Sequence, residues 1–453
     1  MQPAPDKPLV AIACGGTGGH LFPGLAVAEE LQRRDCDVLL LVSPKEVDQQ
    51  AVRAARDLQV ATLPAVALQG NPLAFARASL ASYHAAKTTF APRPPRAVLA
   101  MGGFTSAPPV LAGKKLGAKT FLHDSNTIPG RANRWLAHVV DEAFVGFPQA
   151  ASRLWIQRHA VTGTPVREQF APADAASCRM ALGLDAKRPT LVITGGSQGA
   201  TGLNDLALGA LAELTARHPE LQFIHLTGAN DADKAREAYR AVSGQRSAVS
   251  RSLVQPFLTE MELALGAATL VVSRAGASSL AELAAMRVPS ILVPLPTSAD
   301  DHQLHNALAF ADTGAARLLN QRTTTPAQFA SLVSELLTNA PARAQMQVAL
   351  AQWHQPTAAA DIAERILRAC GLPVTATGSP EAEWQPPARF AKRNPNPVGR
   401  DSVEPHFERS EASVASISAA TRPPKKLTAL APPASANGVR RCFTLPTESV
   451  ATP

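Results

Sequence analysis

The stretch VAIACGGTGGHLFPGLAVAEEL, residues 10–31, runs from an apolar segment through four glycines within five residues to a histidine and then an amphipathic segment. An uninterrupted apolar run of this length predicts a strand buried on both faces, over 9–13. The amphipathic segment predicts a helix over 22–34. Glycines between a strand and a helix remove side chains where backbone N–H groups must approach something closely, and phosphate oxygens at a helix start are the usual object. The loop is not a dinucleotide fingerprint. Gly16 and Gly18 fit its first two positions, but position 21 is Leu, and the next strand, 38–42, runs out through Val42-Ser43-Pro44 without the acid that would hold a ribose. No Gly-Lys-Ser/Thr follows either, so a nucleoside-triphosphate loop is excluded. His20, at the end of the glycine loop, can take a hydroxyl proton near neutral pH. A structural cap on the loop is the alternative reading.

The pattern restarts near residue 190. Buried strands are expected at 97–101, 119–123, 190–194, 222–226, 269–273 and 290–293. A second glycine loop, Gly195-Gly196-Ser197-Gln198-Gly199, leads into a helix over 203–217. Alternation of this kind predicts parallel sheets covered by helices. The fold class is therefore α/β, with two similar halves, and their join falls near Thr162-Gly163-Thr164-Pro165. Ligands of such sheets lie at the carboxyl ends of the strands, so two facing halves put the site in the cleft between them. The first domain is expected over 7–163, completed by an amphipathic helix within 354–371. The second is expected over 164–353, and the Pro/Ala/Arg-rich remainder, 372–453, is expected to be disordered.

With 453 residues, 46% of them hydrophobic, the chain has material for more than one core. A formal charge of +8 and a pI near 9.5 call for an anionic partner. Five scattered cysteines show neither metal spacing nor a disulfide framework, which fits a reducing compartment. No apolar stretch approaches the roughly 18 residues that span a bilayer, and the N-terminus reads as a first strand rather than a signal peptide. Between Asp57 and Asp124 there is no acidic residue, while Arg77, Lys87, Arg93, Arg96, Lys114, Lys115 and Lys119 fall in that stretch. Leu73, Phe75, Leu80, Tyr83 and Phe90 recur there at partly helical spacing. The stripe is either core or a patch that docks on an anionic membrane surface.

Two further segments carry chemistry. In SRAGASSLAEL, 273–283, Gly276, Ala277, Ser278 and Ser279 can present N–H groups to a pyrophosphate, and Glu282 lies one turn further on, within reach of a ribose diol. In PTSADDHQLHNA, 296–307, Asp301, His302, Gln303 and Asn306 offer the mixed donors and acceptors that sugar hydroxyls need. The triplets Asp35-Cys36-Asp37 and Asp231-Ala232-Asp233 could in principle hold a divalent ion, but their placement marks them as surface charges; no metal and no cofactor is expected.

The segments GGTGGHLFPGLA, MGGFTSAP, HDSNTIPGRANRWLA, GTPVR, GGSQGA, SRAGASSLAELAA and DHQLHNA occur in this order. In this combination the chain resembles the MurG family over about residues 8–370. The resemblance implies a GT-B fold, two Rossmann-like domains across a cleft. It also implies inverting transfer of GlcNAc from UDP-GlcNAc to lipid I, undecaprenyl-pyrophosphoryl-MurNAc-pentapeptide, at the cytoplasmic face of the bacterial membrane. By the same resemblance, Thr17, Gly18, Gly19, Asn126, Arg167, Ser197, Leu258, the 276–281 turn, Glu282, His302 and Gln303 would surround the two substrates. Leu258 would lie near uracil, Glu282 at the ribose, Ser197 and the Gly276 helix start at the pyrophosphate, and Gln303 at the GlcNAc hydroxyls. The first domain would take lipid I and dock on the membrane; nucleic acid is not an expected partner. Phe104, Ala107 and Asp124-Ser125 depart from the family's common Tyr, Gly and Glu-Gln. His20 is the first candidate for the base and Asp124 the second. Rival readings are another GT-B transferase with a lipid or small-molecule acceptor, and a non-enzymatic nucleotide-sugar or polyanion binder.

Overall fold

Strands β1 (Leu9–Ala13), β2 (Asp37–Val42), β3 (Gln59–Thr62), β4 (Ala97–Ala100), β5 (Lys119–Asp124), β6 (Glu142–Val145) and β7 (His159–Val161) form one sheet in the order β3-β2-β1-β4-β5-β6-β7, every pairing parallel. Strands β8 (Thr190–Thr194), β9 (Gln222–Leu226), β10 (Leu253–Gln255), β11 (Leu270–Ser273), β12 (Ser290–Leu292) and β13 (Arg317–Leu318) form a second parallel sheet in the order β10-β9-β8-β11-β12-β13. The computed structural model describes residues 7–15, 18–44, 58–64, 71–243 and 252–374. All of these lie in a single compact unit, Met1–Asn394. Gly16, Thr17 and the tail from 375 onward lie outside the described residues.

The central strands β1 and β8 are buried along their whole length, as unbroken LVAIA and TLVIT require. Both sheets reverse their strand order beside them, at β1/β4 and β8/β11. Such a reversal opens a crevice at the carboxyl ends, because the connections leave toward opposite faces. Gly18 and Gly19 after β1, and the glycine loop after β8, line the cavity at these crevices. The eight expected strands are each observed to within one residue at either end, whereas the short strands β3, β6, β7, β10 and β13, which lie toward the outer parts of the sheets, were not expected. The first helix, Gly18–Arg33, begins four residues earlier than expected, so His20 stands in a helical first turn and not at the end of a loop.

After the second half the chain returns. Helix Ala358–Ala369 buries Ile362, Ala363, Ile366 and Leu367 in the core that β1, β2 and helix Gly18–Arg33 share. Leu372 and Val374 pack on the same core, so the chain is held somewhat beyond residue 371. The outgoing crossing at Gly163 (φ 78°) and the returning one at Gln355 are in contact. A β-carbon at 163 would stand 2.5 Å from Gln355 Cγ.

Two expectations change. Phe90, read with the apolar stripe, is fully buried, whereas Leu73 and Leu80 on the same helix, Pro72–Phe90, are 71% and 57% exposed. The stripe divides because its residues point to different sides of the helix. Asp233 is a surface charge, but Asp231 is buried and accepts a 2.8 Å hydrogen bond from Asn204, whose carbonyl lies 3.1 Å from His225 Nε2.

Helix Ala107–Lys115 packs so closely on β4 that a β-carbon at Gly113 would meet Val98 Cγ2 at 2.3 Å. Helix propensity alone would favour Gly113→Ala by up to about 1 kcal/mol. Overpacking a filled core costs about 1–3 kcal/mol, so the clash wins. Gly113→Ala should lower the denaturation midpoint, and Val98→Ala should cost less in that background than in the parent. Additive losses in chemical denaturation would show that the two positions do not compete for space.

Candidate active site

A cavity of about 510 Å³ lies between the two sheets' carboxyl ends. Its lining brings together Gly18, Gly19, His20, Asp124, Asn126, Arg167, Ser197, Leu258, Gly276, Ala277, Ser278, Ser279, Glu282, His302 and Gln303, together with residues not expected there. Of the anticipated residues, only Thr17 lies outside the described part of the chain.

Two helix N-termini converge on this cavity. Helix Gly18–Arg33 comes from the first half, and helix Ala277–Met286, with Gly276 at its N-cap, comes from the second. They touch directly: Ser278 Oγ donates to the carbonyl of Gly19 at 2.9 Å. That carbonyl is open to an outside donor because the residue four further on is Pro23, which has no N–H to close the helical bond. Neither helix has an acidic residue in its first turn. The unpaired N–H groups and the positive dipole ends therefore face an open space suited to an anion. The loop after β8 adds Gly195, Gly196 (φ 83°), Ser197 and Gly199 (φ 73°) to the wall.

His20 is seated by two glycines of the MGGF segment. A β-carbon on Gly102 (φ 123°) would stand 2.7 Å from His20 Nε2, and one on Gly103 (φ 77°) 3.5 Å from its Cε1. The imidazole thus occupies space that exists because position 102 lacks a side chain. Sequence reasoning quoted this segment without seeing its role. A glycine pair directly after a strand at the order reversal was the available sign.

Asp124 is 3% exposed, and both carboxylate oxygens are engaged. Oδ1 accepts from the Asn126 backbone N–H at 2.9 Å; Oδ2 accepts from the Gly130 N–H and from Asn133 Nδ2, each at 2.9 Å. Burial raises its pKa against the pull of these donors. The arrangement organises the 124–130 turn. Beneath it, His123 is fully buried with Nε2 3.0 Å from the Gly163 carbonyl, and burial lowers its pKa to about 4, which keeps it neutral.

In the second half, Leu295 N–H donates to Gln303 Oε1 at 2.9 Å, which leaves the amide nitrogen as the group turned elsewhere. His302 Nδ1 lies 2.7 Å from the Ala299 carbonyl, which can only accept, so this nitrogen donates. Arg167 lies across two rings, its guanidinium carbon 4.7 Å from the Phe22 centroid and 5.2 Å from that of Phe170. Arg274, missed from the sequence, is buried in the wall and donates to the carbonyls of Val293 and Pro294 at 3.0 and 3.2 Å. Burial lowers its pKa to about 10, so it remains a cation at neutral pH. Across the cleft, Arg134 and Arg131 pair with Asp300 at 2.6 and 3.3 Å, and Thr127 bonds Asn306.

Two parallel-sheet halves with glycine turns and helix N-termini facing one cleft define the GT-B architecture. Residues 10–145 match the glycosyltransferase family 28 N-terminal domain and residues 190–366 its C-terminal domain. Curated proteins named UDP-N-acetylglucosamine--N-acetylmuramyl-(pentapeptide) pyrophosphoryl-undecaprenol N-acetylglucosamine transferase are similar over most of the chain. The one from Anaeromyxobacter dehalogenans is 33% identical over 400 residues, 85% of this chain and 99% of that protein. The one from Xanthomonas axonopodis pv. citri is 36% identical over 396 residues, 86% of this chain and 88% of that protein. The crystal structure of MurG from Acinetobacter baumannii superposes with a TM-score of 0.60 at 28% identity, covering 80% of this chain and 99% of that one. The chain belongs to the MurG family.

Burial pushes the Glu282 carboxyl up to about 7, against the attraction of Arg167. An acid whose folded pKa lies above its ordinary value stabilises the fold while protonated. That contribution is full below about 4.5 and is lost as pH rises through about 7. Glu282→Gln keeps the neutral form at every pH. It should match the parent near pH 4.5 and exceed it above pH 7, by up to about 3 kcal/mol. Thermal melts showing a gain that does not grow with pH would refute the burial argument.

Proposed function

We propose that this chain transfers GlcNAc from UDP-GlcNAc to the 4-hydroxyl of MurNAc in lipid I, giving lipid II for peptidoglycan synthesis. The observation that carries the reading is the pairing of helix N-termini across one cleft, with His20 on the first-half side and Glu282, Ser197 and Gln303 on the second-half side. In the reaction, the MurNAc oxygen bonds to C1 of GlcNAc from the face opposite UDP, and the hydroxyl proton passes to the His20 imidazole. The C1–O bond to UDP breaks and its electron pair leaves with the diphosphate. The Gly276 helix start, the Ser197 turn and the cations Arg167 and Arg274 stabilise that growing charge. Gly18 and Gly19 receive the acceptor's pyrophosphate. Glu282 holds the ribose hydroxyls through its ionised form, and Gln303 and His302 meet the sugar. Asp124, with both oxygens engaged, serves as a turn organiser and not as the base.

The same reading puts the protein on the cytoplasmic face of the bacterial membrane, as a peripheral protein. Among the described residues no helix is long and apolar enough to cross a membrane. On helix Pro72–Phe90, the exposed Leu73 and Leu80 lie on one face with Arg77 and Lys87, at spacings of a helical stripe. Apolar side chains with interleaved cations suit an anionic leaflet, and the positive balance of the chain is assigned to that surface and to diphosphate substrates, not to nucleic acid.

UDP release from UDP-GlcNAc in the presence of a short-chain lipid I analogue tests the reaction. A binder would release none. In the same assay His20→Ala should lower kcat by about 10²–10⁴-fold, with UDP affinity little changed, because the donor lies mainly against the other half. A kcat within a few-fold of the parent would rule out the base role.

Leu73→Ser with Leu80→Ser should reduce flotation with anionic vesicles while leaving the melting temperature near that of the parent. Phe90→Ser should instead unfold the chain, being a core change. Undiminished flotation of the folded double variant would sink the membrane assignment for this helix.

A further inference from the structure

Asn306, on helix His302–Asp312, has no solvent exposure, and its amide is saturated by groups of both halves. Oδ1 accepts from the Thr127 backbone N–H at 3.0 Å and from the Thr127 hydroxyl at 2.9 Å. Nδ2 donates to the Ala275 carbonyl at 3.2 Å and to Asn126 Oδ1 at 3.0 Å. Two of these partners admit only one polarity. A backbone N–H can only donate, and a backbone carbonyl can only accept. Turning the Asn306 amide over would set oxygen against the Ala275 oxygen and N–H₂ against the Thr127 N–H, with all four groups buried or nearly so. Asn306 therefore offers Asn126 a donor and nothing else. Asn126 must answer with its carbonyl oxygen, which leaves its N–H₂ end facing the Asp124 carboxylate and the cleft that Asn126 lines.

We propose that Asn306 is a positioning residue that locks the Asn126 amide with its oxygen turned into the protein, so that Asn126 meets the acceptor's oxygen atoms only as a hydrogen-bond donor. The inference rests on the reaction assigned above. It adds a constraint from the donor half, since Ala275 immediately precedes the Gly276 helix start. The peptide that begins the second half's anion site and the side chain that faces the first half's substrate are joined through one amide. Nothing in the segment DHQLHNA alone distinguishes Asn306 from its polar neighbours. The distinction comes from its burial and from the fixed polarity of Thr127 N–H and the Ala275 carbonyl.

Asn306→Asp keeps the size and both bonds from Thr127 but cannot donate, so Asn126 is drawn to turn its N–H₂ toward the new carboxylate. Steady-state kinetics with a soluble lipid I analogue should then show kcat/KM for the acceptor reduced about 100-fold, with the Kd for UDP, by calorimetry, within threefold of the parent. Asn126→Asp, which cannot donate in any orientation, should lose as much, and the double variant no more than either single one. Asp300→Ala removes the ion pairs to Arg131 and Arg134 without touching this amide chain and should stay within threefold. A parent-like kcat/KM in Asn306→Asp, losses that multiply in the double variant, or a UDP Kd that weakens in step with kcat/KM would overturn the proposal. If Asn306→Asp does not fold, Asn126→Asp decides alone: parent-like acceptor kinetics in it overturn the proposal. Absence of UDP release by the unmodified chain would instead overturn the assigned reaction, and the positioning role with it.

Discussion

Two helix N-termini of like polarity held against one another across a cleft are the constraint on which the rest of this structure depends. Each carries unpaired N–H groups and the positive end of a dipole, so their approach is unfavourable until an anion lies between them. The protein offsets that cost with a direct bond, Ser278 Oγ to the Gly19 carbonyl, which is made available by the missing N–H of Pro23. Each helix follows a strand beside the reversal of order in its sheet, β1 in one and β11 in the other. The glycines keep side chains out of the gap. Gly15 shows how tight the packing is behind it: a β-carbon there would stand 2.4 Å from the Ser43 backbone nitrogen.

Around this charged gap the walls are polar and mostly satisfied, although Asn133 Oδ1, Arg167 Nε and Arg274 Nε are buried without a hydrogen-bond partner. Asp124, His123, Asn133 and Thr127 are all buried, and each has a named partner. A buried polar group without a partner costs more than a typical hydrogen bond returns, so the bonds that Asp124, His123 and Thr127 make restrict how this wall can rearrange. Glu282 differs. Its pKa near 7 reflects burial that its surroundings do not fully compensate. Unsatisfied capacity of that kind, facing a cavity, is what distinguishes a group poised for a ligand from one that builds the wall.

The sheets were legible because strands buried on both faces leave unbroken apolar runs, and LVAIA and TLVIT could hardly be anything else. The glycine loops were legible because glycine clusters have few structural uses after a strand. What escaped was relational. Phe90 and Leu80 are both apolar residues of one helix, and only the packing of helix Ala107–Lys115 and β4 decides which is core. Asp231 and Asp233 belong to one triplet, yet one is buried against Asn204 and the other is solvated. His20 was expected at the end of a loop because the helix was read as starting at Phe22, whereas it runs from Gly18 with Pro23 inside it. The glycine pair after β4 marked Gly102 as a place of close approach, but nothing in it named the imidazole some eighty residues away in sequence that fills the space. Contacts between distant segments do not appear in periodicity or composition.

The two passages of chain between the halves run side by side. Gly163 carries the chain out and Gln355 brings it back, and the glycine has no side chain because the glutamine stem fills that place. A body tied to another at two well-separated points is rigidly splinted, while one tied by a single strand can swivel freely. Two ties in contact do neither. They leave a rocking about the shared crossing as the softest motion. A rocking that parts the two halves must also break the pairs that Arg131 and Arg134 of the first half make with Asp300 of the second, so those ion pairs act as a latch on the same motion.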